Sequence, residues 1–348
     1  MIQITYFYEI IIYNDPEEKK MKKLFIPMIS LLAIASLTGC NKEEAPIDYS
    51  DLKIACPSGA PALSLYNMYA KDNVEINADA NNVAAYLSPD SQKDVVIAPT
   101  NLVVGKVMKG NAPFKLAAVI TAGNFFLAST GNDDNGTLDK DDYVVLFQQN
   151  SLPDRLYQYV YGNDFTNLHY VTAASNAAAC LISGTNVADN NASVDYVLVP
   201  QPALTPALQK AKTTRSDVAD KITIYGDLQS EYAQKTGDAN ITQASIFIKN
   251  TDDEEKIKKI NKLLDDLCDN IDGLISGRVN LDQELGNLAE TELSSKFGAP
   301  NLTVLKKVVS ENSLNLCYKG AKGEKKNIDK FLKNLGFTNE ETSEDLYW

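Results

Sequence analysis

Four short segments without Lys or Arg hold the residue types from which this chain can build a site. They are Pro57-Ser58-Gly59-Ala60-Pro61-Ala62, Pro99-Thr100-Asn101, Thr121-Ala122-Gly123-Asn124-Phe125 and Gln148-Gln149-Asn150-Ser151-Leu152-Pro153-Asp154. Each offers hydroxyls, carboxamides or a glycine amide, and Phe125 adds a ring able to stack on a guest. Groups of this kind hold a small molecule by hydrogen bonds. They do not form the acid/base pair or activated nucleophile that bond cleavage needs. The ligand-binding candidates here are Ser58, Gly59, Ala60, Pro61, Thr100, Asn101, Gly123, Asn124, Phe125, Gln149, Asn150 and Ser151. No catalytic residue, metal ligand or cofactor is assigned. The segments hold no Arg or Lys, which disfavours a strongly anionic ligand and points toward a neutral heterocycle or amide.

Other reactive residues are weaker candidates. His169 is the only histidine and sits in the apolar stretch Leu168–Val171, so it reads as packed in a sheet. Cys56, Cys180, Cys268 and Cys317 lack the paired spacing of a zinc site and read as free thiols, most of them buried. Gly131–Asp142 invites a calcium-loop reading. With Gly136 as the loop glycine, however, Gly131 falls where an acid is required, and a solvated turn is expected.

The surrounding pattern explains what would position the four segments. From Asp51 onward, short apolar runs alternate with helical stretches, the signature of βαβ units. Strands are expected at Leu52–Cys56, Val74–Ile76, Asp94–Ala98, Lys115–Ile120, Phe125–Ser129, Tyr143–Phe147, Leu168–Val171, Tyr196–Val199, Ile222–Tyr225 and Ser245–Ile248. In open α/β sheets ligands gather at strand carboxyl ends, where each of the four segments falls. After Asn250 the chain turns helical. Thr251 to Glu254 matches a capping box, and Ile257, Ile260, Leu263, Leu264, Leu267, Ile271 and Leu274 make one apolar face. Leu281, Leu285, Leu288 and Leu293 suggest another helix. Ile328, Phe331, Leu332 and Leu335 suggest a last one, stopped by Gly336.

Bulk properties narrow the class. The composition, 44% hydrophobic and 23% charged, is globular. The net charge of −13 repels phosphate backbones and argues against nucleic-acid binding. Met21 to Cys40 has a cationic start at Lys22 and Lys23, an apolar core from Leu24 to Leu37, and the ending Leu37-Thr38-Gly39-Cys40. This is a secretory signal, too short to span a bilayer. Leu-Thr-Gly-Cys resembles the bacterial lipobox, which implies cleavage before Cys40 and lipidation of its sulfur. The expected organisation is then an upstream misread start at 1–20, a signal peptide at 21–39 and a lipidated tether at 40–50. Removing residues 1–39 leaves 309 of 348, enough for two lobes.

Three segments carry a family resemblance. Asp94-Val95-Val96-Ile97-Ala98-Pro99, Gly123-Asn124-Phe125-Phe126-Leu127 and Asp195-Tyr196-Val197-Leu198-Val199-Pro200-Gln201-Pro202 resemble ABC-transporter substrate-binding proteins of the nitrate, sulfonate, taurine and thiamine-precursor type. The stretch Ala177–Gly184 resembles the helix that family places before the last segment. Where relatives usually have Pro-Glu-Pro, this chain has Pro200-Gln201-Pro202, which removes the carboxylate but keeps Gln201 as a ligand candidate. The stretch Asn186–Ser193 also departs from the usual pattern.

The resemblance implies a two-lobed α/β type 2 periplasmic-binding-protein fold, with a mostly parallel sheet in each lobe, a hinge and C-terminal helices. Lobe I would comprise 51–142 and 244–348, and lobe II 143–243, with a small-molecule solute clasped between them. Implied partners are an ABC permease and ATPase. The membrane is reached through the lipid alone, at the extracytoplasmic face, and the body is monomeric. Alternatives are an enzyme on the same fold, or a surface sensor or adhesion lipoprotein. On this reading Asn124→Ala weakens capture, measured by calorimetry, while barely changing the stability of the ligand-free chain.

Overall fold

Runs of apolar residues buried on both faces build the first of two sheets. In a computed structural model, which describes residues 46–78 and 80–348, that sheet contains β1 (Ile54–Pro57), β2 (Val74–Asn77), β3 (Val95–Pro99) and β4 (Phe114–Thr121). The second sheet takes β5 (Phe125–Ser129), β6 (Val144–Phe147), β7 (Leu168–Val171), β10 (Tyr196–Pro200) and β11 (Ile224–Asp227). A small hairpin, β8 (Thr185–Asn186) and β9 (Ala192–Ser193), sits on this lobe. The chain then returns to the first sheet with β12 (Ala244–Lys249) and β13 (Leu316–Gly320). Strand orders are β13-β4-β12-β3-β1-β2 and β11-β5-β10-β6-β7.

Both sheets are mixed where a mostly parallel arrangement was expected. β1 runs parallel to β2 and β3, but β12 is antiparallel to β3 and β4, and β13 is antiparallel to β4. In the second sheet β6 is parallel to β7 and β10, and β5 is antiparallel to β10 and β11. β5 and β12, the strands that receive the chain from the other lobe, are antiparallel members, and β13 is a third, entered from α9. A chain leaving one sheet edge and entering the facing edge must reverse its sense relative to the βαβ strands.

The exit from lobe I also differs from expectation. Residues 125–142 were assigned to lobe I, but β5 pairs only within the second sheet, so the crossing lies at Ala122–Asn124. The return ahead of Ala244 is where the sequence placed it. Gly123 makes the exit possible. Its φ is +99°, and a Cβ there would lie 3.0 Å from Ile241 on the returning segment.

Helices cover both sheets. α1 (Ala80–Ala85) lies in lobe I; α2 (Leu152–Tyr161), α3 (Ala174–Ser183), α4 (Leu204–Thr214) and α5 (Leu228–Thr236) lie in lobe II. The C-terminal part holds α6 (Glu254–Ile275), α7 (Leu281–Leu285), α8 (Glu290–Phe297), α9 (Leu302–Ser310) and α10 (Lys325–Asn334). Asp253, rather than Thr251, caps α6: its carboxylate accepts from the Glu255 and Lys256 amides at 3.0 and 3.2 Å. Leu281 and Leu285 fall on α7 and Leu293 on α8, with Gly286 at the end of the first and Leu288 in the turn between them.

Alternate residues of β1, β3 and β12 serve two cores. Ile54, Cys56, Val95, Ile97, Ile246 and Ile248 pack with Ile260, Leu263, Leu267 and Ile271 of α6. Ala55, Val96, Ala98 and Phe247 face a core that runs on into lobe II. Each large aliphatic side chain so buried contributes about 1.5–3 kcal/mol.

α10 belongs with lobe II, although residues 244–348 were all expected in lobe I. Its Phe331 ring meets Tyr232 edge-on at 6.0 Å, and Asn334 donates to the Tyr232 hydroxyl at 3.2 Å. Arg155 of α2 donates to the Leu335 and Gly336 carbonyls at 3.2 and 3.1 Å. The chain then comes back: the Trp348 amide donates to Leu116 O, and its indole to Asn261, both at 2.9 Å.

The signal segment, Cys40 and residues 41–45 of the tether lie outside the described residues. The tether's end is docked on the body, with the Tyr49 hydroxyl donating to Asp266 at 2.7 Å. Burial, followed by that hydrogen bond, pushes the Tyr49 phenol up from its usual range. Gly123→Ala is expected to lower stability by about 1–3 kcal/mol, because alanine is strained at this φ and its methyl crowds Ile241. Urea unfolding checks this; an unchanged midpoint would mean the crossing tolerates a Cβ.

Candidate functional site

Strand register decides which loops meet. In the first sheet Pro57 pairs with Asn77, and Ala244 pairs with both Pro99 and Thr121, which also faces Leu316. β3 lies parallel to β1, so the ends of β1, β2, β3 and β4 and the starts of β12 and β13 share one edge. In the second sheet Pro200 pairs with Phe125, Phe147 with Val171, and Asp227 with Phe126. The ends of β6, β7, β10 and β11 and the start of β5 therefore share the edge facing the first. The chain crosses between these edges at Ala122–Asn124 and again through Gly237–Gln243. All four polar segments and Gln201 sit on this seam.

Hydrogen bonds lock part of the seam. Gln243 donates its amide to Thr121 O, and Thr100 donates its amide to Gln243 O, each at 3.0 Å. The Asn124 side-chain nitrogen donates to Gln201 O at 2.6 Å, and the Gln201 amide donates to Asn124 O at 2.9 Å. The Asn315 side-chain amide, from the start of β13, donates to the Gly123 carbonyl. The lobes also touch directly. A Cβ on Gly298, past α8, would sit 3.4 Å from the Gly59 Cα and 3.5 Å from Pro202 Cγ, ordinary contact distances that put the two loops side by side; the φ of +70° is what favours glycine there.

The candidates take different parts. Thr100 is fully buried with its hydroxyl 2.7 Å from that of Ser245, so it ties β3 to β12. Phe125 is 5% exposed and packs against Phe147 at 6.0 Å, placing its ring in the lobe II core beneath the seam. Ser58 and Gly59 have their amides engaged, by Asn77 O at 2.8 Å and Lys296 O at 3.1 Å. Ala60 and Pro61 are buried at the start of a short 3-10 helix. Gln149 and Asn150 are exposed at the rim. The Asn150 amide is held by Asp154 at 2.6 Å, and Asp154 also accepts from Gln158 at 2.8 Å and Tyr170 at 3.1 Å.

What remains is a set of buried polar atoms with no protein partner. Asn101 Oδ1, Thr121 Oγ1, Asn124 Oδ1, Ser151 Oγ, Thr242 Oγ1 and Gln243 Oε1 all belong to the seam. A buried oxygen left unpaired costs about 1–3 kcal/mol, so the cluster marks the junction as a place where a guest or bound water can supply hydrogen bonds. Thr121, Thr242 and Gln243 are not among the ligand candidates drawn from the sequence. Thr121 was visible as part of a polar segment, whereas nothing in Ile241-Thr242-Gln243 distinguished it from ordinary chain.

Other hollows do not involve these loops. One of about 640 Å³, lined by Ser50, Asp51, Lys71 and Lys93 among others, lies at the opposite end of the first sheet. Another of about 210 Å³ lies beside β7 and the β8–β9 hairpin. His169 packs near the latter, stacked on Tyr143 at 3.8 Å with its Nδ1 3.5 Å from Asp189. The four cysteines are free thiols, and burial pushes Cys317 up to about 11. Among the described residues no group of three or more His, Cys, Asp or Glu is placed to hold a metal ion. No helix among them is long and apolar enough to cross a membrane.

No family model matches the chain, and no curated protein matches it in sequence. Solved structures do match. An ABC transporter protein of Parabacteroides distasonis is 17% identical with a TM-score of 0.59, covering 83% of this chain and 92% of its own. The periplasmic aliphatic sulphonate binding protein SsuA of Escherichia coli is 14% identical with a TM-score of 0.56, covering 85% and 91%. The alkanesulfonate-binding protein SsuA of Xanthomonas axonopodis pv. citri, bound to MOPS, is 11% identical with a TM-score of 0.54, covering 85% and 97%. At these identities the likeness shows the fold, the two-lobed type 2 periplasmic-binding-protein architecture.

The geometry corrects one expectation about Asn124. Because its side chain holds the Gln201 carbonyl at the seam end of the β5–β10 pair, Asn124→Ala lowers ligand-free stability as well as capture. Thr121→Val and Thr242→Val isolate the site better. Each removes a buried, unpaired hydroxyl and is expected to raise ligand-free stability by about 1 kcal/mol, read as the urea midpoint. A lower midpoint would mean that these hydroxyls are already satisfied.

Proposed function

We propose that this chain is the solute-binding lipoprotein of an ABC importer, of the nitrate, sulfonate, taurine and thiamine-precursor type. The observation that carries the proposal is the seam. Two sheets present their ligand-binding edges to each other across a hinge of a few residues, and buried oxygens there lack partners. A solute entering between open lobes supplies those hydrogen bonds and favours the closed form. Shifting a two-state equilibrium from 1:99 to 99:1 takes about 5.5 kcal/mol of differential affinity. A micromolar complex, about −8 kcal/mol, is enough to provide it.

Capture breaks no bond, and the seam presents amides and hydroxyls, so the reading is non-enzymatic. The Met21–Cys40 signal supports export and lipidation at Cys40, which tethers a monomeric body at the extracytoplasmic face and hands solute to permease and ATPase. Two acyl chains suffice for stable anchoring.

Two experiments test this proposal. The soluble chain starting at Asn41, screened by thermal shift against amino acids, pyrimidines, vitamins and sulfonates, is expected to melt at least several degrees higher with one class, by mass action. A flat response to every class at millimolar concentration would remove the capture role. Separately, Cys40→Ser in the full chain is expected to move the protein from the membrane pellet to the soluble fraction. Retention in the pellet would mean that another element anchors it.

A further inference from the structure

The charge sense of the seam is written in how its own side chains are used. Of the six unpartnered atoms, three are carboxamide oxygens, on Asn101, Asn124 and Gln243, and these only accept hydrogen bonds. Asn124 is fixed in that sense because its side-chain nitrogen already donates to the Gln201 carbonyl, leaving the oxygen free. Thr121 and Thr242, each no more than 1% exposed, add hydroxyls that accept as readily as they donate.

Three helix starts at the seam, the usual seats for an anion, are already occupied from within, while that of α3 has no side-chain cap. α2 carries Asp154 in its first turn, 1% exposed. α4 has the Gln201 side-chain oxygen on its Thr205 amide at 3.3 Å. α5 is capped by Asp227, which accepts from the Gln229 amide at 3.0 Å. Two of these three groups are carboxylates, so the fixed charge next to the seam is negative. The described residues of the crossings and strand ends include no Lys, Arg or His; Arg155, next to Asp154 on α2, donates instead to the Leu335 and Gly336 carbonyls.

We infer that the cleft selects a solute that donates hydrogen bonds and carries no negative charge, an amide, amine or N–H heterocycle, and that it rejects sulfonates and other oxyanions. This rests on the capture role proposed above. An anion placed here would meet acceptor oxygens and two carboxylates in a water-poor gap, with no cation to pair. A donor satisfies the same oxygens and gains from the same charges.

Calorimetry on the ligand-stripped chain from Asn41 tests the inference with two panels: cytosine, nicotinamide, glycinamide and agmatine as donors, and methanesulfonate, taurine and sulfate as oxyanion bearers. The expected result is that the tightest binder is a donor, in the micromolar range, while the oxyanions stay at least 100-fold weaker. Gln243→Glu adds a carboxylate at the seam; it is expected to hold or tighten the donor, and Asn101→Asp makes the same test should that variant fail to fold. A sulfonate as the tightest binder, weakened tenfold or more by either variant, would overturn the charge assignment and leave capture standing. Silence from both panels, extended to the broader thermal-shift classes, would remove capture and this inference together.

Discussion

Everything in this structure follows from how the chain gets from one sheet to the other. Between Thr121 and Phe125 it has three residues in which to leave β4 and enter β5 in a different sheet. Gly123, at positive φ and pressed against Ile241, is what lets so short a link turn without a clash. That shortness holds the two sheet edges face to face. The return through Thr242 and Gln243 is bonded to Thr121 and Thr100, so outgoing and incoming strands form one narrow junction. A hinge built this way confines motion to a few torsions and leaves each lobe's packing intact.

A third tie runs behind the junction. β13 extends the first sheet, α10 packs on Tyr232 and Arg155 of lobe II, and Trp348 returns to Leu116 and Asn261 of lobe I. Opening the front of the cleft must therefore pivot about a backing that stays attached to both lobes. The front contact is light by comparison: Pro202 lies beside Gly298 and α4 approaches α9, with no hydrogen bond or ion pair joining them among the described residues. This asymmetry, a firm back and a loose front, is what a clasp needs if the closed form is to depend on the guest.

Much of this was legible in the sequence, and the failures have physical reasons. Strands with strong apolar runs, such as Val95–Pro99 and Tyr196–Pro200, were placed within a residue or two, because burial on both faces leaves an unmistakable pattern. The lobe boundary was misplaced because nothing local marks Ala122–Asn124 as a crossing, and only long-range pairing shows that β5 joins β10. α9 and β13 were missed because each is short and its apolar residues are shared among several neighbours. α10 was found but assigned to the wrong lobe, since an amphipathic face says that a helix packs and not on what. Within the site, Asn124 and Gln201 stood out by type and place. Gln243 did not, because its role comes from lying opposite Thr121 and Thr100.

The same fold can present opposite electrostatic senses to a guest because the scaffold and the site use different atoms. The sheets fix where strand ends and helix starts lie. They leave open whether a helix start receives a ligand or one of the protein's own side chains. In this chain the side chains of Asp154, Gln201 and Asp227 lie at such starts, and Asp154 also braces local structure by gathering Asn150, Gln158 and Tyr170. Residues with both duties are hard to exchange, since removing one frees a helix end and loosens a loop together. The acceptor character of the seam is for that reason tied to the packing of lobe II, and a change of ligand charge would require rebuilding the helix starts as well as the loops.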